Sequence, residues 1–141
     1  MNPGNGKAGT AEEMQLPDTG RHEVSPEAML EAIVSMAVET WRIAKVYDRI
    51  LAKLDVGDQN RYKNQFRWFL KKVEESMAQA GLRFVNVEGL IFDPGMAVTP
   101  LNIDEFDNKD VLIVEQMIEP IIMGKERLVR TGTITLQRVK V

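Results

Sequence analysis

From Ser25 to Asp55 the chain carries a helical apolar pattern along two neighbouring seams. Met29, Ile33, Met36, Thr40, Ile43, Tyr47, Ile50 and Leu54 follow one another at alternating steps of four and three residues. Leu30, Val34, Ala37, Trp41, Ala44, Asp48 and Leu51 run beside them. Steps of three and four bring side chains to one face of an α-helix. Two adjacent seams make a stripe wider than a two-stranded coiled coil requires. A helix of about eight turns with so broad a stripe must share it with a partner. That partner is either the rest of its own small domain or another subunit of a bundle. The start of this helix is also marked: Ser25 can accept an otherwise unpaired amide, Pro26 suits the first helical position, and Glu27 sits at the positive end of the helix dipole.

The pattern breaks at Asp55-Val56-Gly57-Asp58. A second helix is expected from about Gln59 to Ala80, with Tyr62, Phe66, Phe69, Leu70, Val73, Met77 and Ala80 as its apolar positions and Gly81 as its stop. The short link predicts an antiparallel helical hairpin. Lys63, Arg67 and Lys71 recur every four residues on its outer face, beside Arg61 and Lys72. Without interleaved aromatic residues, such a stripe reads as a solvated face rather than a nucleic-acid contact.

Beyond Gly81 the character changes. Leu82–Val87 is β-rich, and Glu88-Gly89 and Asp93-Pro94-Gly95 are turn signals around the brief apolar run Leu90-Ile91-Phe92. Residues 104–110 form a charged loop. Val111–Ile118 is apolar enough for a buried strand, limited by Pro120. Arg127–Val139 alternates as a single strand does, with Gly132 as a bulge or close approach. The fold class expected is therefore α+β: a flexible tail over 1–24, a helical hairpin over 25–80 that forms a dimeric helix bundle, and a small β wing of three or four strands over 81–141.

Composition narrows the function. There is no cysteine, which rules out disulfides, thiolate metal sites and a cysteine nucleophile. A net charge of −3 disfavours duplex binding. The first 24 residues are rich in Gly, Pro and polar residues; Gly4-Asn5-Gly6-Lys7 lacks the first glycine, the hydroxyl residue and the preceding strand of a phosphate-binding loop. The sole histidine, His22, stands alone there. No leader pattern and no membrane-length apolar run are visible, so a cytoplasmic protein is expected. Nothing pairs a nucleophile with a base, or groups metal ligands at a useful spacing, so neither an enzyme nor a metal or cofactor is expected.

One set of residues resembles a known family. Gly81-Leu82 follows a helix; Gly89-Leu90-Ile91-Phe92-Asp93-Pro94 forms a turn; Ile113-Val114-Glu115 lies on a strand; and Arg127-Leu128-Val129-Arg130-Thr131-Gly132-Thr133-Ile134-Thr135-Leu136 closes the sequence pattern. In order and spacing, roughly over residues 32–139, this resembles the GrpE nucleotide exchange factors of DnaK-type chaperones. The chain departs from the family pattern at Ala97, where a histidine is usual, at Pro120-Ile121, at Thr131-Gly132, and in its short N-terminal stalk. The resemblance implies a homodimer whose β wing presses on the nucleotide-binding domain of a DnaK-type or related actin-like ATPase and promotes ADP release. It implies a partner surface of Met117, Glu119, Ile121, Met123, Lys125, Arg127 and Arg130, with Phe92, Asp93 and Pro94 fixing the angle of the wing. Ile33, Met36, Trp41, Ile43, Tyr47 and Ile50 are the residues expected at the dimer seam. The alternative is a non-catalytic adaptor of the same fold that binds a different protein.

Overall fold

The computed structural model describes residues 23–139. Most of the expected tail, including Gly4–Lys7 and His22, lies outside the described residues. The chain divides into two units, Met1–Ala32 and Ile33–Val141. In the first, helix α1 (Pro26–Leu51) begins as its sequence signals require: the Ser25 hydroxyl accepts the Ala28 N–H at 3.0 Å.

In the second unit α1 continues to Leu51, four residues link it to α2 (Val56–Gln79), and the pair forms an antiparallel hairpin. Tyr47 stacks on Phe66 with ring centroids 4.3 Å apart, and its hydroxyl reaches the Tyr62 carbonyl. Helix α2 starts three residues earlier than expected because the Asp55 carboxylate accepts the Asp58 N–H and caps the first turn. Its end is a Schellman motif. Gly81 adopts φ +76°, the Leu82 N–H returns to the Met77 carbonyl at 2.9 Å, and the Gly81 N–H reaches Ala78 at 3.0 Å. Both Met77 and Leu82 are buried, so the cap also seeds apolar packing.

The β part holds six described strands in two three-stranded sheets, more than the three or four expected. They are β1 (Arg83–Val85), β2 (Val98–Pro100), β3 (Leu112–Glu119), β4 (Ile121–Met123), β5 (Leu128–Arg130) and β6 (Gly132–Arg138). One sheet runs β1-β4-β5, antiparallel throughout. The other runs β2-β6-β3, with β2 parallel and β3 antiparallel to β6. The single closing strand expected over Arg127–Val139 is in fact two. The backbone leaves the first sheet at Arg130 and joins the second at Gly132, with only Thr131 between.

Strand β2 ends at Pro100, which lacks an N–H and therefore suits a sheet edge. Pairing is prolonged past it by Leu101, whose N–H reaches Ile134, and by Asn102. The Asn102 side-chain amide both donates to and accepts from the backbone of Leu136, at 3.0 and 2.9 Å. The charged loop contains one 3₁₀ turn, Ile103–Glu105.

The core of the β part consists of Val87, Leu112, Val114, Met117, Ile121, Ile134 and Leu136. Trp41, Val85, Phe92, Met96 and Phe106 pack against it from several elements. Burying a side chain of this size contributes about 1.5–3 kcal/mol. Gly132 lies against this core at the sheet change. A Cβ there would stand 2.9 Å from both Ile121 Cγ1 and Met117 Cε and 3.0 Å from the Glu119 carbonyl. Gly132→Ala is therefore expected to destabilise the chain by about 1–3 kcal/mol through overpacking. Urea unfolding at neutral pH measures this, and an unchanged midpoint would mean that the corner yields freely.

Candidate functional site

Strand β3 is an edge strand, and its outer edge is closed by side chains and by a neighbouring segment. At its first half, the Val114 N–H donates to Leu90, while its carbonyl accepts from Gly89. The Phe92 N–H reaches the Leu112 carbonyl, so Ile91 bridges Ile113. At its second half the Met117 N–H donates to the Glu88 carboxylate at 2.8 Å, and the Met117 carbonyl accepts the Trp41 indole N–H at 3.0 Å. The Trp41 ring lies 5.3 Å from Phe84 of β1. Helix α1 thus completes the sheet edge.

Three ion pairs, made by two glutamates, secure the same junction. Lys45 of α1 reaches the Glu88 carboxylate at 2.6 Å. Glu119, at the end of β3, is held by Arg42 of α1, by Arg130 of β5 at 3.0 Å and by the Thr133 hydroxyl at 3.3 Å. Both carboxyls lie below the ordinary glutamate range. At Glu119 the Arg130 hydrogen bond is the largest influence; burial opposes it, and Arg42 adds to it. At Glu88 burial is the largest single influence and pushes upward, but the Lys45 pair and the Met117 N–H together outweigh it.

This arrangement places the expected partner residues unequally. Met117 and Ile121 are not surface residues: both are buried in the core, where their side chains fill the space between the sheets. Glu119 is mostly covered and already triply engaged. Arg130 pairs with it, and the Arg130 Nε is buried with no hydrogen-bond partner among the described residues. Met123 is half-buried. Lys125 and Arg127 are exposed, as is Leu128, which the sequence pattern did not single out.

The expected dimer seam also divides. Trp41 and Tyr47 are spent inside the chain, one closing the β3 edge and the other stacking within the hairpin. Ile33 is half-buried. Met36, Ile43 and Ile50 are 68%, 50% and 52% exposed despite their size. They stand seven residues apart, the repeat of a supercoiled seam. Beside them is an open groove between the helices, lined by Ile33, Met36, Thr40, Phe69, Val73 and Met77. Phe69, one of the apolar positions of the second helix, is itself 43% exposed. Spacing does not separate this outward seam from the inward one, because Leu30, Ala37, Ala44 and Leu51 repeat at the same interval and Ala37 and Leu51 are buried.

Among the described residues, no group of three or more acidic or histidine side chains could hold a metal ion. No described helix is long and apolar enough to cross a membrane. No protein-family model matches the sequence, and comparisons with curated proteins and with solved structures find no similar chain.

The two low glutamates give a signed pH dependence. Their folded-state values lie below the unfolded value of about 4.3, so the unfolded chain binds more protons in acid. Their stabilisation is complete well above that value and is lost as the pH falls through 4 and below. Urea unfolding between pH 7 and pH 3 should show this decline. The Glu88→Gln, Glu119→Gln double variant should be less stable at pH 7 and show a shallower acid slope. An unchanged slope would place the acid sensitivity elsewhere.

Proposed function

We propose that the chain is a GrpE-like cochaperone, a nucleotide exchange factor that engages the nucleotide-binding domain of a DnaK-type or related actin-like ATPase and promotes ADP release. The observation that carries this reading is the order of elements and motifs along one chain. A helical hairpin closes at Gly81, the Phe92-Asp93-Pro94 turn follows, and a small β unit ends in β5 and β6, with Arg127 in the bend just before β5 and Arg130 at its end. At the turn, the Asp93 carboxylate accepts the Gly95 N–H at 2.9 Å and Phe92 packs on the core, so the corner is fixed on both sides.

The proposed mechanism needs no catalytic side chain. A factor that binds the open state of an ATPase more tightly than the closed state shifts the population by that difference alone; about 1.4 kcal/mol gives a tenfold shift. A wing that opens another domain must resist being bent back. The junction of Trp41, Arg42 and Lys45 with Met117, Glu119 and Glu88 supplies such stiffness. Lys125, Arg127 and Leu128 form the exposed part of the proposed partner surface, and arginine suits bidentate contact with a carboxylate. The outward stripe of Met36, Ile43, Ile50 and Phe69 is the proposed homodimer seam, because burying it between two copies gains about 25 cal/mol per Å².

The second reading, an adaptor of the same fold with another protein partner, draws on two observations. Arg130 is engaged by Glu119 rather than free, and two apolar residues expected on the wing surface are in the core.

The decisive measurement is the release rate of fluorescent ADP from the DnaK-type chaperone of the same cell. Addition of the chain is expected to raise it at least about tenfold. Arg127→Ala should remove most of that acceleration while melting as the wild type does. Arg130→Ala should lower the melting temperature, because it leaves Glu119 with one cation fewer. If the wild-type chain leaves ADP release unchanged at saturating concentration, the exchange-factor reading fails and the adaptor reading stands. Light scattering tests the seam separately: the wild type should have twice the chain mass, and Ile43→Asp should be a folded monomer, since Ile43 is already half exposed.

A further inference from the structure

The segment that closes the first half of the β3 edge has an open edge of its own. The Leu90 carbonyl and the Phe92 N–H turn toward β3. Ile91, between them, is a non-hydrogen-bonded bridge partner of Ile113, so its N–H and carbonyl point the other way. Neither makes a backbone hydrogen bond among the described residues. Beside this edge is a groove lined by Ile91, Phe92, Ile103, Phe106 and Val111. Ile91, Ile103 and Val111 are 60%, 45% and 56% exposed, so three large aliphatic side chains meet water around one depression.

The rim of the groove is predominantly acidic. Asp107 and Asp110 line it, and Asp93, Asp104 and Glu105 lie on the adjoining turns. Only Asp110 has an ion-pair partner among the described residues, Arg138 at 3.1 Å, and the Arg138 guanidinium also covers Phe106. Lys109 is the one lysine in this stretch. The groove lies on the second sheet and its loops, apart from Lys125, Arg127 and Leu128.

We propose that this groove docks a short extended segment of a partner protein, carrying aliphatic side chains two residues apart with lysine or arginine on either side. Each feature of the segment answers one on the page. An extended backbone can pair with the open Ile91 amide and carbonyl, as peptides do when they add to a sheet edge. Side chains two residues apart fall on one face and enter the apolar groove together. Flanking cations meet the carboxylate rim, which speeds encounter and discriminates against acidic segments. The same rim opposes a nucleic-acid phosphate backbone or an anionic membrane. The inference is independent of the exchange-factor reading.

The test uses the full chain and a fluorescein-labelled peptide, Lys-Lys-Leu-Ser-Leu-Lys-Lys, followed by fluorescence anisotropy. Saturable binding with Kd below about 100 μM is expected, weakening as salt rises. The Glu-Glu-Leu-Ser-Leu-Glu-Glu peptide should bind at least about tenfold more weakly. Ile103→Ser with Val111→Ser should weaken the lysine peptide at least about tenfold, whereas Met36→Ser on the helical stripe should leave it unchanged. In the wild-type chain the Ile91 amide resonance should shift as the peptide is added, a readout that does not depend on any variant folding. Three results would overturn the proposal: no saturable binding below about 1 mM, equal binding of the acidic peptide, or peptide-induced shifts that bypass Ile91.

Discussion

The backbone of Met117 is the point on which the arrangement of this protein turns. An edge strand presents a row of unpaired amides and carbonyls, and a buried one cannot leave them without partners. At Met117 the partners come from elsewhere in the chain. The carbonyl is met by an indole on α1, and the N–H by a carboxylate that α1 holds through Lys45. The Met117 side chain meanwhile fills the core and packs against Gly132. Removing Trp41 or Glu88 would leave a buried polar group unsatisfied, at a cost of about 1–3 kcal/mol. The hairpin is thus part of the hydrogen-bonding of the β unit rather than a separate stalk laid against it.

Gly132 shows the same economy of space. The chain passes from β5 in one sheet to β6 in the other with only Thr131 between them, and this passage brings the backbone close to the core. Only a residue without a Cβ fits between Ile121, Met117 and the Glu119 carbonyl. The ion-pair cluster at Glu119 sits immediately beside this corner, joining α1, β3, β5 and β6 through one carboxylate.

Much of the α part was legible in the sequence because its signals are local. Ser25, Asp55 and Gly81 mark helix ends through caps that involve residues within a few positions, and the stripes of α1 follow from a fixed period. The β part was less legible. Strand β2 is three residues ending in proline, and its parallel pairing with β6 depends on a strand far along the chain. The split between β5 and β6 is equally hidden, because Thr131-Gly132 keeps the alternation that a single strand would show. The surface residues divided for a related reason. Periodicity says that Trp41 and Tyr47 are apolar and on the helix stripe; it does not say that a carbonyl 76 residues away claims the indole. The groove at Ile91, Ile103 and Val111 could not be read at all, since Ile91 comes from the segment before β2 and Ile103 and Val111 from the two ends of the connection between β2 and β3.

The order of strands in the second sheet has a consequence for how the chain reaches this structure. The central strand, β6, comes last of the described strands, and both its neighbours depend on it. Its partners were made earlier; Asn102, for instance, waits for Leu136, 34 residues on. The hairpin needs only nearby residues and can form early, whereas the sheet must close long loops first. During synthesis there is accordingly an interval in which α1 and α2 are in place while β2 and β3 have no strand between them. In that interval Trp41 and Glu88 can already engage Met117, and the Gly89–Phe92 segment can pair with the first half of the outer edge of β3. The opposite edge of β3 is the one that β6 then occupies.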